Sequence, residues 1–118
     1  MVAMQDVKGE DYTVHVEPET STVHFQGELC LGGPAEYAPI TALLNKVVDT
    51  KPNTMTLNLR NLEFVNSSGI SMFYKFVLSM QKKEGVQLIV LGSNDMPWQG
   101  KSLNNLKKLL PGLEIDIQ

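Results

Sequence analysis

The sequence predicts a single α/β domain with a mixed sheet, opening on an antiparallel hairpin and continuing as parallel strands with helices mainly on one face. Three observations carry this. Between Tyr12 and Leu29, two runs of alternating apolar and polar residues flank a short turn. From Ile40 onward, helical spacing and strand-like alternation take turns, the pattern of parallel strands joined by crossover helices. Most strand runs also keep one polar face, so the sheet should be covered on one side and partly wet on the other. A doubly wound dinucleotide fold, covered on both sides, is thereby disfavoured.

The elements follow in order. Residues 1–11 read as a polar N-terminal tail and residues 12–118 as the folded domain. Tyr12, Val14 and Val16 alternate with Thr13, His15 and Glu17, and Val23, Phe25, Gly27 and Leu29 alternate with His24, Gln26 and Glu28. Between them Pro18-Glu19-Thr20-Ser21 supplies turn chemistry, so the two runs form a hairpin. Ile40, Leu43, Leu44, Val47 and Val48 then fall on one helical face. The main helix is placed from about Tyr37, because Gly33-Pro34 and Pro39 both fit a first turn and leave the preceding turn open.

After the Lys51-Pro52-Asn53 break, Met55, Leu57 and Leu59 alternate with Thr56, Asn58 and Arg60, giving a third strand. Helical spacing returns from Gly69, with Ile70, Phe73, Tyr74, Val77 and Leu78 as the inward face and Lys75, Ser79, Lys82 and Lys83 as the wet stripe, ending at Gly85. Gln87 to Leu91 is a short apolar run suited to a central strand. Leu103, Leu106 and Leu110 mark a helix opened by Pro97 and closed by Pro111-Gly112, and Leu113, Ile115 and Ile117 make the last strand. The expected order is ββαβαβαβ.

Composition narrows the function classes. Apolar residues at 42% and charged residues at 19% describe a globular chain rather than a disordered one. The net charge is −3 and the basic residues are scattered apart from Lys82-Lys83 and Lys107-Lys108, so nucleic acid is not an expected partner. No apolar run reaches the length of a membrane span, and Met1 to Asp11 has no signal-peptide core; a cytoplasmic protein without a membrane partner is expected. Cys30 is the single cysteine, which excludes an internal disulfide and a clustered-thiolate zinc site. It reads as a small core or rim residue. If Glu17 pairs with Thr22, His15 lies opposite His24; without a third ligand the two read as solvated polar residues, and neither metal nor cofactor is expected.

The most unusual stretch runs from Leu59 to Ile70 and contains Asn66-Ser67-Ser68-Gly69 at a helix start. Unpaired backbone amides there favour negative charge, so a phosphate on a serine would be stabilised. Taken alone, the same residues read as a helix cap. No Gly-x-Ser-x-Gly elbow surrounds the serines and both histidines lie on the first hairpin, so no catalytic triad is expected and the chain is read as a non-enzyme. Gly32-Gly33 lacks the spacing of a nucleotide loop.

Val65-Asn66-Ser67-Ser68-Gly69-Ile70, preceded by a strand and by Leu62-Glu63-Phe64, resembles the Asp-Ser-Ser-Gly signature of STAS domains, and Phe25-Gln26-Gly27-Glu28-Leu29 resembles the family's Gly-Glu-Leu. The order of strands and helices is also that of the family, so the resemblance runs from about Tyr12 to Ile117. Pro97 to Leu103, continuing through Pro111-Gly112-Leu113, is similar to one branch of STAS proteins. In the bacterial anti-sigma factor antagonists of this family the first signature serine is phosphorylated by a serine kinase that is also the anti-sigma factor, and a phosphatase reverses the step. The resemblance therefore implies a partner-switching regulator of transcription, with Ser67 as phosphoacceptor, Ser68 second to it and read as the cap, and Asn66, Ser67, Ser68, Gly69 and Cys30 at the partner surface. Met72 and Phe76 lie on a flank apart from Phe73 and Val77; if exposed they would add an apolar patch at the partner surface, and the alternative, commoner for such residues at helical spacing, is that they are core beneath the first or third helix. Two positions depart from the pattern: Asn66 and Cys30 each stand where the family commonly has Asp. Two other readings are a constitutive, unphosphorylated STAS scaffold and a small-ligand or nucleotide sensor using the loops at Gly32-Gly33 and Asn66–Gly69.

Overall fold

Each strand lies beside the next one in sequence, and that order decides where the helices go. The computed structural model describes residues 6–83 and 85–118. Strands β1 (Val7–Lys8), β2 (Tyr12–Glu17), β3 (Thr22–Leu29), β4 (Thr54–Val65), β5 (Gln87–Gly92) and β6 (Glu114–Ile117) form one sheet in the order β1-β2-β3-β4-β5-β6. β1, β2 and β3 pair antiparallel, and β3 to β6 pair parallel. Helices α1 (Pro34–Asp49), α2 (Ser67–Ser79) and α3 (Gln99–Leu109) make the three parallel crossovers. Crossovers of one hand that always advance in the same direction put all their helices on one face. Consistent with this, α2 touches both α1 and α3. The strand order never reverses, so the ligand crevice of doubly wound folds does not arise.

The core lies between that helical layer and the inward side chains of the sheet. Val14, Val23, Phe25, Leu57 and Val90 are buried on the strands, and Ile40, Leu44, Phe73, Val77 and Leu103 cover them. The hairpin register is the expected one, with Glu17 opposite Thr22 and His15 opposite His24. The uncovered face carries Thr13, His15, His24, Asn58 and Arg60, all partly or fully exposed.

Several elements differ from the sequence expectation. Within the stretch read as a polar tail, Val7 and Lys8 pair with Val14 and Thr13; two residues are too few to show a period, and residues 1–5 lie outside the described residues. The first helix starts at Pro34, at its first position, with Gly33 preceding it. Pro39 falls inside the helix. It is tolerated because Ala35, whose carbonyl loses its partner, is exposed and open to solvent. The third predicted strand does not stop at Arg60 but continues to Val65.

The reason for that last difference is a pair of irregularities. Along β4 the buried residues after Leu59 are Leu62 and Val65, a spacing of three. Against β3 the register advances from His24↔Asn58 to Gln26↔Asn61, and from Gly27↔Leu62 to Glu28↔Phe64, so β4 holds an extra residue twice. Bulges of this kind erase a two-residue period without ending the strand. Gly27 sits at the second of them with φ 89°, and a Cβ there would collide with the Asp11 carbonyl, which explains the glycine of Gly-Glu-Leu.

Candidate functional site

Two loops meet where the parallel strands end. Leu29 lies opposite Val65, and the Asn66 amide donates to the Leu29 carbonyl at 2.9 Å. The β3–α1 loop, Cys30 to Gly33, is therefore held beside the first turn of α2. Asn66 ties the two together. Its Oδ1 accepts from the Gly69 amide at 2.9 Å, which caps α2, and from the Tyr37 hydroxyl at 2.8 Å. Its Nδ2 donates to the Leu31 carbonyl at 2.8 Å, and the Leu31 amide donates to the Tyr37 hydroxyl at 3.2 Å. A carboxylate in place of Asn66 could accept both bonds but could not donate to Leu31. The asparagine thus pins the loop as well as capping the helix.

Gly69 makes this closeness sterically feasible. A Cβ on it would stand 2.8 Å from the Tyr37 hydroxyl oxygen and 2.5 Å from a Val65 methyl. Asn66, rather than Ser68, is the N-cap, which corrects the sequence expectation: Ser67 and Ser68 lie one and two residues inside the helix, and it is Asn66 that has the extended backbone a cap requires. Ser67 is exposed; Ser68 is half-buried and faces α1. Cys30 is exposed, at the rim of the same surface. Phe64, opposite Glu28 of β3, is 46% exposed.

Met72 and Phe76 do not form an exposed patch. They are 7% and 3% exposed, because α2 is flanked by both α1 and α3 and its buried face runs Gly69, Met72, Phe73, Phe76, Val77 and Met80. Leu78, read as inward, is 43% exposed instead. Met72 and Phe76 form the floor of a cleft of about 340 Å³ between α1 and α2, whose upper end opens at Ser68 and Pro34.

Tyr37 is 1% exposed, and burial pushes its phenol above the usual tyrosine range, with the Leu31 amide bond pulling the other way. The neutral form is therefore the one the fold favours. Its contribution is fully present below the unfolded phenol's pKa of about 10 and is lost as the pH rises through the higher folded value. Tyr37→Phe should make the alkaline limb of the stability profile shallower, read by urea unfolding at stepped pH; an unchanged limb would place the titration elsewhere.

The two histidines stack on the uncovered sheet face with ring centroids 6.2 Å apart. His15 Nδ1 lies 2.7 Å from Asp6, and His24 has Glu17 at 3.1 Å on Nε2 and Asn58 Nδ2 at 3.1 Å on Nδ1. Among the described residues no group of three or more His, Cys, Asp or Glu is arranged to hold a metal ion. Both histidines sit on the sheet face opposite α2 and its serines.

A family model for the STAS domain matches residues 11–107. The chain belongs to the STAS domain family. A crystal structure of an anti-sigma factor antagonist from Mycobacterium paratuberculosis is similar in fold, with a TM-score of 0.65 over 92% of this chain and 90% of that one, at 21% sequence identity. At that identity the likeness is one of fold. No curated protein matches the sequence.

In this STAS domain the signature is a junction of two loops rather than a single turn. Asn66, Ser67, Ser68 and Gly69 are brought together with Cys30, while Met72 and Phe76 lie beneath the neighbouring cleft. Gly32 and Gly33 border the junction, and the Gly32 amide is bonded by the Glu36 carboxylate. Sequence reading missed Tyr37 and Phe64. Tyr37 carried a faint signal, an aromatic at the start of an amphipathic helix; Phe64 carried none, because the bulges of β4 erase the two-residue period that would have shown which way it faces. No helix among the described residues is long and apolar enough to cross a membrane.

Proposed function

We propose that this STAS domain is a cytoplasmic partner-switching regulator of the anti-sigma factor antagonist type, in which phosphorylation of Ser67 releases a bound protein. One observation carries the reading. Ser67 stands exposed in the first turn of α2, while the capping duty falls on Asn66, so the hydroxyl is available and its modification leaves the cap intact. A phosphoserine adds nearly two negative charges at the positive end of a helix, where the fold tolerates them. The penalty falls on the interface: a partner packed over Phe64, Cys30 and Ser67 would have to desolvate a dianion, at several kcal/mol without a matching basic pocket. The partner pair that this scheme calls for is a serine kinase acting as anti-sigma factor and a phosphatase that resets the switch. The domain itself acts by binding and not by catalysis.

Affinity purification from the native organism with wild type, Ser67→Ala and Ser67→Asp tests it. Ser67→Ala should retain the partner and Ser67→Asp should lose it, with both variants melting near wild type and phosphopeptide mapping placing phosphate on Ser67. Equal recovery by all three, or phosphate on Ser68 alone, would sink the switch and favour a constitutive scaffold.

A further inference from the structure

We propose that the cleft between α1 and α2 is a binding site for a small amphiphilic monocarboxylate of medium acyl-chain length. The cleft, about 340 Å³, falls in the size range of small-molecule sites. Its floor is apolar, built from the Tyr37, Met72 and Phe76 side chains. The Tyr37 hydroxyl is already engaged by Asn66 and Leu31, so the floor has no polar group seeking a partner and suits a hydrocarbon body. The rim differs. Hydroxyls of Thr41 and Ser71 line it, and Lys75 is its one charged residue; no Asp or Glu borders the cleft.

Lys75 forms no ion pair within the described residues, whose three pairs are His15–Asp6, His24–Glu17 and Arg60–Asp116. A single cation over an apolar slot selects an anion with an apolar tail, and disfavours a cation or a dicarboxylate. Length follows from helix geometry. With a rise of about 1.5 Å per residue, Lys75 lies roughly 10 Å along α2 from Ser68 at the upper end, the reach of a medium-length acyl chain whose carboxylate meets the ammonium. The slot is bounded by two helices that both belong to this chain, and its volume is about 340 Å³. That enclosure fits a single chain better than a whole docking helix.

Titration of the full chain with decanoate, followed by amide resonances, tests the assignment. Saturable shifts should centre on Thr41, Asn45, Ser71 and Lys75. Decanol, the same body without the charge, should bind about fivefold more weakly, the upper end of what an exposed ion pair supplies. Lys75→Glu should erase that preference, and Ser71→Trp, at an exposed rim position, should block binding while the melting temperature stays near wild type. The proposal is overturned if decanoate shifts fail to saturate by low millimolar, if they centre on another surface, or if decanol binds as well as decanoate. Equal binding of decyltrimethylammonium would also overturn it, marking the cleft as a general apolar surface of the kind a protein helix covers. Because the readout is direct binding, it is independent of whether Ser67 is phosphorylated.

Discussion

Replacing Gln99 by Leu should destabilise the domain by about 3–5 kcal/mol, one of the largest effects available to a single side chain here. Gln99 is fully buried and polar. β4 pairs with β5 only from Thr54↔Gln87 to Asn58↔Leu91, so the rest of β4, bulged and turning away, presents carbonyls with no strand to meet them. The Gln99 amide takes their place. Its Nε2 donates to the Leu59 carbonyl at 2.6 Å and the Leu62 carbonyl at 3.2 Å, and its Oε1 accepts from the Ser93 amide at 2.7 Å. Trp98 adds an indole bond to Leu62 at 2.9 Å. Leucine keeps the volume and removes every bond. Leu62 would retain Trp98, but the Leu59 carbonyl would be left unpaired in the core and the half-buried Ser93 amide would lose its partner, at about 1–3 kcal/mol each. Urea unfolding followed by Trp98, the chain's single tryptophan, measures the loss. A midpoint equal to wild type would mean that solvent reaches these groups and that the glutamine is dispensable.

The same region shows how far the sequence could be read. The element order from Tyr12 onward, the hairpin register and the one-sided helical layer were all legible, because period-two and period-3.6 patterns survive wherever an element has one buried face; the two-residue β1 was not. β4 was not legible beyond Arg60. Its bulges convert the pattern from steps of two to steps of three, and Leu59, Leu62 and Val65 then look like fragments of a loop. Gln99 was invisible as a core residue, since a glutamine in a polar helix start reads as solvated. The junction was half legible: the small residues of Asn66 to Gly69 announced a helix start, and the family signature pointed to Ser67. What could not be read was the division of labour, in which an asparagine caps α2, holds Tyr37 and fastens the loop before α1 at once. Those partners are separated by 29 and 35 residues in sequence.

The junction also gives one of the two departures from the family pattern, Asn66, a physical meaning. With Asp in place of Asn66, the Leu31 carbonyl would face a second acceptor and the loop carrying Cys30 would lose one of the bonds that hold it. The neutral side chain helps to fix that loop and, under the proposed switch, would spare a phosphate on Ser67 an adjacent negative charge.

Phe73→Ala should cost about 3–5 kcal/mol and Phe76→Ala a similar amount, whereas Leu78→Ala should fall within about 0.5 kcal/mol of wild type. The three lie on one helix and differ in what surrounds them. Phe73 packs edge-on against Phe25 of β3, with ring centroids 5.2 Å apart at 64°, and joins the helix to the sheet. Removing it leaves a cavity between two layers that cannot close without moving both. Phe76 is buried equally well and lines the cleft beside α1, so its loss opens the floor of the cleft. Leu78 is turned outward, since the apolar residues of α2 outnumber the positions its two helix neighbours and the sheet can cover. The ranking separates the observed face of α2 from the one its spacing suggests, in which Leu78 is core and Phe76 is surface. Unfolding free energies for the three variants decide between them, and a large loss at Leu78 with none at Phe76 would mean that the helix is rotated from its observed setting.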